Sequence, residues 1–324
     1  MKIVSLFPAA TEIICAAGLG DQLIGVSHLC DYPPRVRGLP KVTQARLPGG
    51  LSSAEVDSYV REHAAEGLFT LDVERLLTLA PDTIISQSLC DLCAVPDHVV
   101  REACSQLTPR PRVLTLSPHR IDEVFDSIEE VAALGPRSLQ AHARLTVHRL
   151  RQRVEAIAER NASRSVDDAQ RRRVLLLEWL DPPFTAGHWN PELIAMAGGQ
   201  PVLSAVGERS RQISWQRLLS EEVDLIVFAA CGIDLTHTAS ELNRMIAAHH
   251  PIARLIQQSR YGAWIVDGNQ YFNRPGPRLV DATEWLAQII ARPDGTATDQ
   301  ISSFRIPSGS LGILDDAALR RPTR

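Results

Sequence analysis

Residues 2–12 decide the fold, and they read Lys2-Ile3-Val4-Ser5-Leu6-Phe7-Pro8-Ala9-Ala10-Thr11-Glu12. The apolar, β-branched start is typical of a buried strand. Pro8 then opens a helix, because proline is tolerated in the first helical turn. A strand that leads directly into a helix predicts an α/β unit, and the same alternation recurs along the chain. The sequence therefore predicts an α/β fold with mostly parallel strands.

The alternation divides the chain into two α/β halves. We predict an N-terminal lobe at 1–118, connecting helices and a loop at 119–172, a C-terminal lobe at 173–292 and a polar C-terminal extension outside the core at 293–324. The connection holds one long helix at about 136–161, a stretch without glycine or internal proline. The predicted strands are 2–6, 23–26, 83–86, 112–116, 174–179, 225–229 and 263–267.

An internal repeat indicates that the two lobes are related. Glu74-Arg75-Leu76-Leu77 and the strand after it match Gln216-Arg217-Leu218-Leu219 and its strand at an offset of 142 residues. A second match, at an offset of 180, pairs Thr11–Gly18 with Pro191–Gly198. The alternative is chance, because such helices are common in chains rich in Arg and Leu. Two Rossmann-like lobes joined by a long helix predict a ligand cleft between them, where strand ends and helix N-termini converge.

The composition excludes several classes of function. The chain of 324 residues has 34 Lys and Arg against 38 Asp and Glu, so it lacks the basic surface that nucleic acid requires. No run approaches the roughly 20 apolar residues of a membrane span. Because the first strand leaves no room for a secretory signal, we expect a cytoplasmic protein, or a periplasmic or lipid-anchored one if a signal peptide was removed. In the cytoplasm its six cysteines would be thiols.

Several motifs resemble one known family. They are Ile3–Ile13, Gly25-Val26-Ser27-His28, Cys30-Asp31-Tyr32-Pro33-Pro34, Asp181-Pro182-Pro183-Phe184, Ala197-Gly198-Gly199 and Arg274-Pro275-Gly276-Pro277-Arg278. Together they are similar to the substrate-binding proteins of cobalamin and ferric-siderophore importers, in the branch called cobalamin-binding protein. The resemblance implies two lobes on a rigid helix, with a corrinoid or related planar or metal-chelate ligand between them and no catalysis.

The resemblance also implies a partner. In exported relatives one surface glutamate on each lobe docks onto arginines of an ABC permease. Glu74 occupies the position on the N-terminal lobe, whereas the repeat places Gln216 at the other, where no charge pair can form. The alternative is that Glu74 is an ordinary solvated residue of its helix with no partner role. We expect a monomer with a weakened permease contact.

Thiols and one imidazole follow strands of the N-terminal lobe. Cys90 and Cys93 have the spacing with which two thiolates chelate one soft metal, and His28 and Cys30 follow another strand. This set suits Zn²⁺ if the four side chains converge. The alternative is that the cysteines line an apolar pocket. Tyr32, in the adjacent turn, is a further ligand-contact candidate.

The C-terminal lobe offers aromatic candidates. Phe184 and Trp189 present flat faces suited to a planar macrocycle. Between them, His188 can hydrogen-bond the ligand or coordinate a metal, or it is a satisfied structural histidine. Cys231 ends the next strand and would place a thiol on the opposite wall of the cleft.

No nucleophile elbow, phosphate loop or carboxylate pair is present, so we predict neither an enzyme nor a nucleotide cofactor. The leading hypothesis is binding of cobalamin or another corrinoid, as an ABC-type substrate-binding protein or its cytoplasmic derivative. One alternative is a thiol-rich zinc protein. Another is an enzyme whose thiolates attack the upper cobalt ligand of a corrinoid.

Overall fold

The computed structural model describes residues 1–63, 67–89, 95–162, 171–295 and 301–308. Contacts divide the chain into two units, Met1–Arg149 and Leu150–Arg324. Each unit is built on its own β-sheet.

The first unit alternates short strands and helices. Its strands are β1 (Ile3–Ser5), β2 (Leu23–Val26), β3 (Thr43–Ala45), β4 (Phe69–Leu71), β5 (Thr83–Gln87) and β6 (Arg112–Leu116). Its helices are α1 (Pro8–Ala16), α2 (Ser53–Glu62), α3 (Val73–Leu79), α4 (Asp97–Ser105), α5 (Ile121–Ala132) and the start of α6 (Arg137–Ala162), with 3-10 turns at Gly20–Gln22 and Pro34–Gly38.

The main sheet of this unit has the order β2-β1-β5-β6, and every neighbouring pair is parallel. Its strands are apolar on both faces because helices cover the sheet: Ile3, Val4, Ile84 and Ile85 are fully buried. β3 and β4 form a separate antiparallel pair.

The second unit repeats this plan with additions. Its strands are β7 (Arg173–Trp179), β8 (Phe184–Thr185), β9 (Gln200–Pro201), β10 (Leu225–Phe228), β11 (Ala263–Val266) and β12 (Ser303–Ile306). Its helices are α7 (Asn190–Met196), α8 (Trp215–Leu219), α9 (Leu235–Ala247), α10 (Pro251–Gln258), α11 (Gly268–Tyr271) and α12 (Leu279–Ala291).

The parallel strands of the second sheet follow the order β9-β7-β10-β11, which matches β2-β1-β5-β6 of the first. The repeat is visible in single hydrogen bonds. The Asp82 carboxylate accepts the backbone N–H of Lys2 over 2.7 Å, and the Asp224 carboxylate accepts that of Arg173 over 2.8 Å. In both units this bond ties the central strand to its neighbour. The predicted fold class, two α/β halves with parallel strands, is confirmed.

The helix predicted at about 136–161 runs from Arg137 to Ala162. Within the second unit, the Arg153 guanidinium binds the carboxylates of Asp281 at 2.6 Å and Glu284 at 2.7 Å, which joins α6 to α12. None of the described helices has the length and apolar character needed to span a bilayer.

The structure corrects the expectation for the chain after residue 293. Residues 303–306 do not lie outside the core: they form β12, which pairs antiparallel with β11. Ile301 and Ile306 are buried there. The sequence did not indicate this strand, because it has only four residues, two of them apolar, in an otherwise polar stretch.

Candidate functional site

An open depression, about 210 Å³ with the solvent at its mouth included, lies at the carboxyl edge of the first sheet. The chain passes from β1 to β2 on one side and returns to β5 on the other, so this edge contains the point at which the strand order reverses. Ligands of open α/β sheets bind at such points. The residues that line the depression are Leu6, Phe7, Pro8, Ser27, Leu29, Thr43, Phe69 and Val95.

Two buried hydroxyls lie at this depression and hold His28. Thr43 Oγ1 donates to Ser27 Oγ over 3.0 Å and accepts the backbone N–H of His28 over 3.1 Å. His28 Nδ1 lies 2.7 Å from the same Thr43 oxygen, and the imidazole ring contacts Phe69 with a centroid distance of 5.3 Å. The ring is therefore fixed from two sides.

The hydrogen bonds assign the tautomer of His28. The one hydroxyl proton of Thr43 goes to Ser27, so Nδ1 must donate its own proton to Thr43 Oγ1. Burial, with Lys41 as the second cause, lowers the pKa of His28 and favours the neutral ring. Nε2 then carries a lone pair. This atom is buried and has no hydrogen-bond partner in the described part of the chain.

Cys30 is buried beside a second hydroxyl chain. Its sulfur lies 3.0 Å from Thr11 Oγ1, which is 2.8 Å from Ser5 Oγ, and the Ser5 hydroxyl donates to the carbonyl of Phe7. These bonds tie the loop after β2 to the first turn of α1. Cys30 therefore stabilises this loop through its contact with Thr11, independently of any ligand.

The predicted zinc set cannot be assembled from the described residues. Cys90 and Cys93 lie outside them. Within the described ranges, no group of three or more His, Cys, Asp or Glu side chains is arranged to hold a metal ion. Cys15, Cys30, Cys104 and Cys231 form no disulfide with one another.

The remaining candidates of the first unit are at its surface. Tyr32 is 44% exposed and remains a ligand-contact prediction. Glu74 is exposed on α3, and its repeat equivalent Gln216 is exposed on α8 of the second unit. Both positions are therefore accessible to a partner.

In the second unit, Glu178 at the end of β7 organises the loop that leads to α7. Its carboxylate accepts the backbone N–H of Gly187 over 2.9 Å, the Asn190 amide over 2.8 Å and the Ser210 hydroxyl. Desolvation raises the pKa of Glu178 although these donors oppose the shift. Gly187 is required here because a Cβ would overlap the backbone of Ser210.

This loop holds three of the predicted contact residues. His188 adopts a left-handed backbone, with φ of 52°, and donates its N–H to the Glu208 carbonyl over 2.5 Å. Trp189 is only 5% exposed, and its indole N–H donates to the Phe272 carbonyl over 2.8 Å. The structure thus places the Trp189 ring inside the unit. Phe184, which is partly exposed, lies on β8 opposite Trp179.

The carboxyl ends of β10 and β11 complete this edge of the second sheet. Cys231, partly exposed after β10, donates its N–H to the Glu178 carbonyl over 2.9 Å. Asp267, after β11, accepts from the backbone and side chain of Gln270, and Arg278 donates to Gln270 over 3.2 Å. Burial raises the pKa of Asp267. The side-chain amide of Gln270 thus bridges the buried Asp267 carboxylate and the buried Arg278 guanidinium.

Sequence reasoning missed Ser27, Thr43, Phe69, Glu178 and Asp267. The sequence could have indicated Ser27, Glu178 and Asp267, because each is a polar residue at the end of an apolar strand. Thr43 and Phe69 carry no such signal. The antiparallel pairing of β3 with β4 brings their two strands together, and that pairing is not local.

Comparison with known proteins places this architecture in a family. The family model described as periplasmic binding protein matches residues 3–255. The chain therefore belongs to the periplasmic binding protein family.

Among its relatives is the vitamin B12-binding protein of Yersinia pseudotuberculosis, 26% identical over 292 residues that cover 90% of this chain and 86% of the relative. The vitamin B12-binding protein of Vibrio cholerae is 26% identical over 291 residues, with 89% and 88% covered.

Solved structures share the fold. The periplasmic vitamin B12 binding protein of Vibrio cholerae superposes with a TM-score of 0.63 at 23% identity, covering 91% of this chain and 98% of that one. A periplasmic heme binding protein of Pseudomonas aeruginosa superposes with a TM-score of 0.67 at 18% identity, with 94% and 98% covered. The family is one of binding proteins.

Proposed function

We propose that this protein binds a corrinoid of the cobalamin type at the carboxyl edge of its first sheet. The observation that carries the proposal is the apolar depression at the point where the strand order of the first sheet reverses. Its walls are apolar, and two hydroxyls, Ser27 and Thr43, provide polar contacts. Relatives that match about nine-tenths of the chain are named for vitamin B12, which supports this ligand class over others.

The ligand is tested with a panel of cyanocobalamin, dicyanocobinamide and hemin, each titrated calorimetrically. We expect saturable binding of the corrinoids at one site. Leu29→Asp should weaken that binding about tenfold or more, because a charge replaces an apolar wall of the depression. Leu145→Asp is the matched control, since Leu145 is 49% exposed on α6. Binding of hemin alone would reassign the ligand, and binding of none would end the proposal.

We further propose that the ligand is carried and not transformed. Of the four described thiols, Cys30 and Cys104 are buried, which disfavours their attack on a bulky substrate, whereas Cys15 and Cys231 are partly exposed and make the direct test necessary. Cyanocobalamin incubated with the protein and a thiol donor should be recovered intact. Release of cyanide at a rate above that of the thiol donor alone would instead favour the enzymatic alternative.

Delivery to an ABC permease is the partner interaction that we propose, with Glu74 on α3 as the exposed docking residue. Gln216 supplies no charge at the equivalent position of the second unit, so the complex should be weak and salt-sensitive. As the alternative to permease delivery, we propose a cytoplasmic derivative that carries its ligand without docking on a permease, which is compatible with thiols that form no disulfide among the described residues. Cell fractionation of the native host tests it: a periplasmic pool would contradict this location.

A further inference from the structure

The imidazole of His28 has one nitrogen occupied and one unused. Nδ1 is bound to Thr43 Oγ1, so the ring cannot turn without breaking this bond, and the same oxygen also accepts the His28 backbone N–H. Nε2 is buried and has no partner among the described residues. A buried nitrogen without a partner is costly, and it calls for a functional explanation.

This arrangement is that of a metal-ligating histidine. Such histidines donate one ring N–H to an oxygen acceptor, which fixes the tautomer and leaves the lone pair of the other nitrogen for the metal. Here the acceptor is Thr43, which Ser27 orients in turn. The lowered pKa of His28 keeps the ring in the neutral form that coordination requires.

The protein does not supply the rest of a metal site in the described ranges. No group of three or more ligating side chains is found there, and Cys30, the nearest thiol in sequence, contacts Thr11. One imidazole cannot retain a free ion. It can, however, fill the single vacant position of an ion already chelated in the equatorial plane.

We propose that His28 Nε2 is an axial ligand for the metal centre of the cargo. The proposal rests on the proposed function and narrows its substrate class: the preferred cargo is a corrinoid whose cobalt carries an exchangeable water on one axial side. In the binding step the Nε2–Co bond forms, the Co–water bond breaks, and the water leaves. Cobalt keeps its oxidation state, and no proton is transferred. The side chains that cover Nε2 must move aside for the cargo.

The test compares aquacobinamide, which has an exchangeable axial water, with dicyanocobinamide, in which cyanide fills both axial positions. Absorption spectra and affinities are measured for the wild type, for His28→Gln and for the control His63→Gln, a partly exposed histidine that directly follows α2 and stacks on Tyr59. We expect the wild type and the control to shift the aquacobinamide spectrum as free imidazole does. His28→Gln should lose the shift and bind at least tenfold more weakly, and added imidazole should restore the shift.

Dicyanocobinamide should bind all three proteins within twofold. If His28→Gln weakens both ligands equally, Nε2 forms a hydrogen bond to the ligand and the proposal is overturned. A shift that persists in His28→Gln overturns it as well. Stoichiometric zinc in the wild type that is lost in His28→Gln would assign the imidazole to a metal held by the protein. If the wild type binds neither cobinamide, the proposed function has failed, which is a distinguishable result.

A further measurement needs no variant. Cyanide titrated into the wild-type aquacobinamide complex should replace the remaining axial water and then the imidazole, so that the dicyano spectrum is reached only at a higher cyanide concentration than free aquacobinamide requires, while the ligand stays bound. A spectrum that responds to cyanide as that of free aquacobinamide does would show that no protein nitrogen is on the cobalt, and it would overturn the proposal even if His28→Gln does not fold.

Discussion

At the residue scale, Glu178 shows how one partly buried carboxylate shapes a loop at the carboxyl edge of the second sheet. It accepts from Gly187, Asn190 and Ser210, and these bonds connect the end of β7 to two later parts of the chain. Desolvation outweighs the three donors, so the pKa of the carboxyl is raised. The folded state therefore favours the protonated form more than the unfolded state does.

We expect Glu178→Gln to change how stability depends on pH. Because the folded pKa is raised, the wild type gains stability from this group below the unfolded pKa and loses it as pH rises through the folded pKa. Gln resembles the protonated form and can donate to Ser210. Relative to the wild type, the variant should therefore gain stability as the pH rises from about 4 to about 7.

Urea denaturation at both pH values measures this difference. Glu222→Gln is the control, because Glu222 is an exposed carboxylate in the same unit, and we expect a constant difference from the wild type there. A Glu178→Gln variant that is equally destabilised at both pH values would show that the charged form contributes hydrogen bonds that glutamine cannot replace.

At the element scale, β12 shows how few residues attach a C-terminal segment to a sheet. Its four residues pair with β11, and Ile306 is 1% exposed in the apolar core of the second unit. The strand protects an edge that would otherwise present unpaired backbone groups. Its stability depends on both the ladder and this one anchor.

Ile306→Ala should lower the free energy of unfolding of the second unit by about 2–4 kcal/mol, as for other large-to-small core substitutions. Amide hydrogen exchange should become faster in β11 as well as in β12. Val206→Ala is the control, since Val206 is 37% exposed and should change stability by less than about 0.5 kcal/mol. Unchanged protection of β11 would mean that β12 is not needed to hold the edge.

At the scale of the whole molecule, the duplication predicts that equivalent buried positions contribute equally to stability in the two units. Leu76 on α3 and Leu218 on α8 are separated by the repeat offset of 142, and both are fully buried. Each packs beneath the sheet of its own unit. A leucine that fills the same place in two related folds should cost the same to remove.

Leu76→Ala and Leu218→Ala should each destabilise the protein by about 3–5 kcal/mol, through lost burial and the cavity left behind. Leu77→Ala, on the same helix but 45% exposed, should cost less than about 0.5 kcal/mol. Chemical denaturation followed by far-UV circular dichroism measures all three. A large difference between the two buried positions would indicate that the units have diverged in packing.

The sequence predicted much of the fold because buried strands and helix faces have local signatures. Strands at 23–26 and 112–116 and the helix Val73–Leu79 coincide with periodic or β-branched stretches. It missed α2, although Ser52 and Glu55 form a capping box that could have indicated where that helix begins. The missed strands β3, β4, β8, β9 and β12 are each two to four residues long, too short for a periodic pattern.

The candidate site was predicted only in part. His28, Cys30 and Cys231 follow strands, and the structure places them at carboxyl edges of their sheets, as the topology of parallel strands requires. The sequence placed Trp189 in a loop, where an aromatic residue can contact a ligand. In the structure its ring lies inside the unit, and the indole N–H donates to the Phe272 carbonyl, 83 residues away in sequence.

The sequence by itself thus determined the α/β alternation, the internal repeat and the family, because each depends on which residue types follow one another. Only the tertiary structure decided which groups meet. Thr43 reaches His28 across 15 residues of chain, and this contact fixes the tautomer that leaves Nε2 its lone pair. Such contacts depend on how strands pair over long loops, and local residue preference carries no record of that pairing.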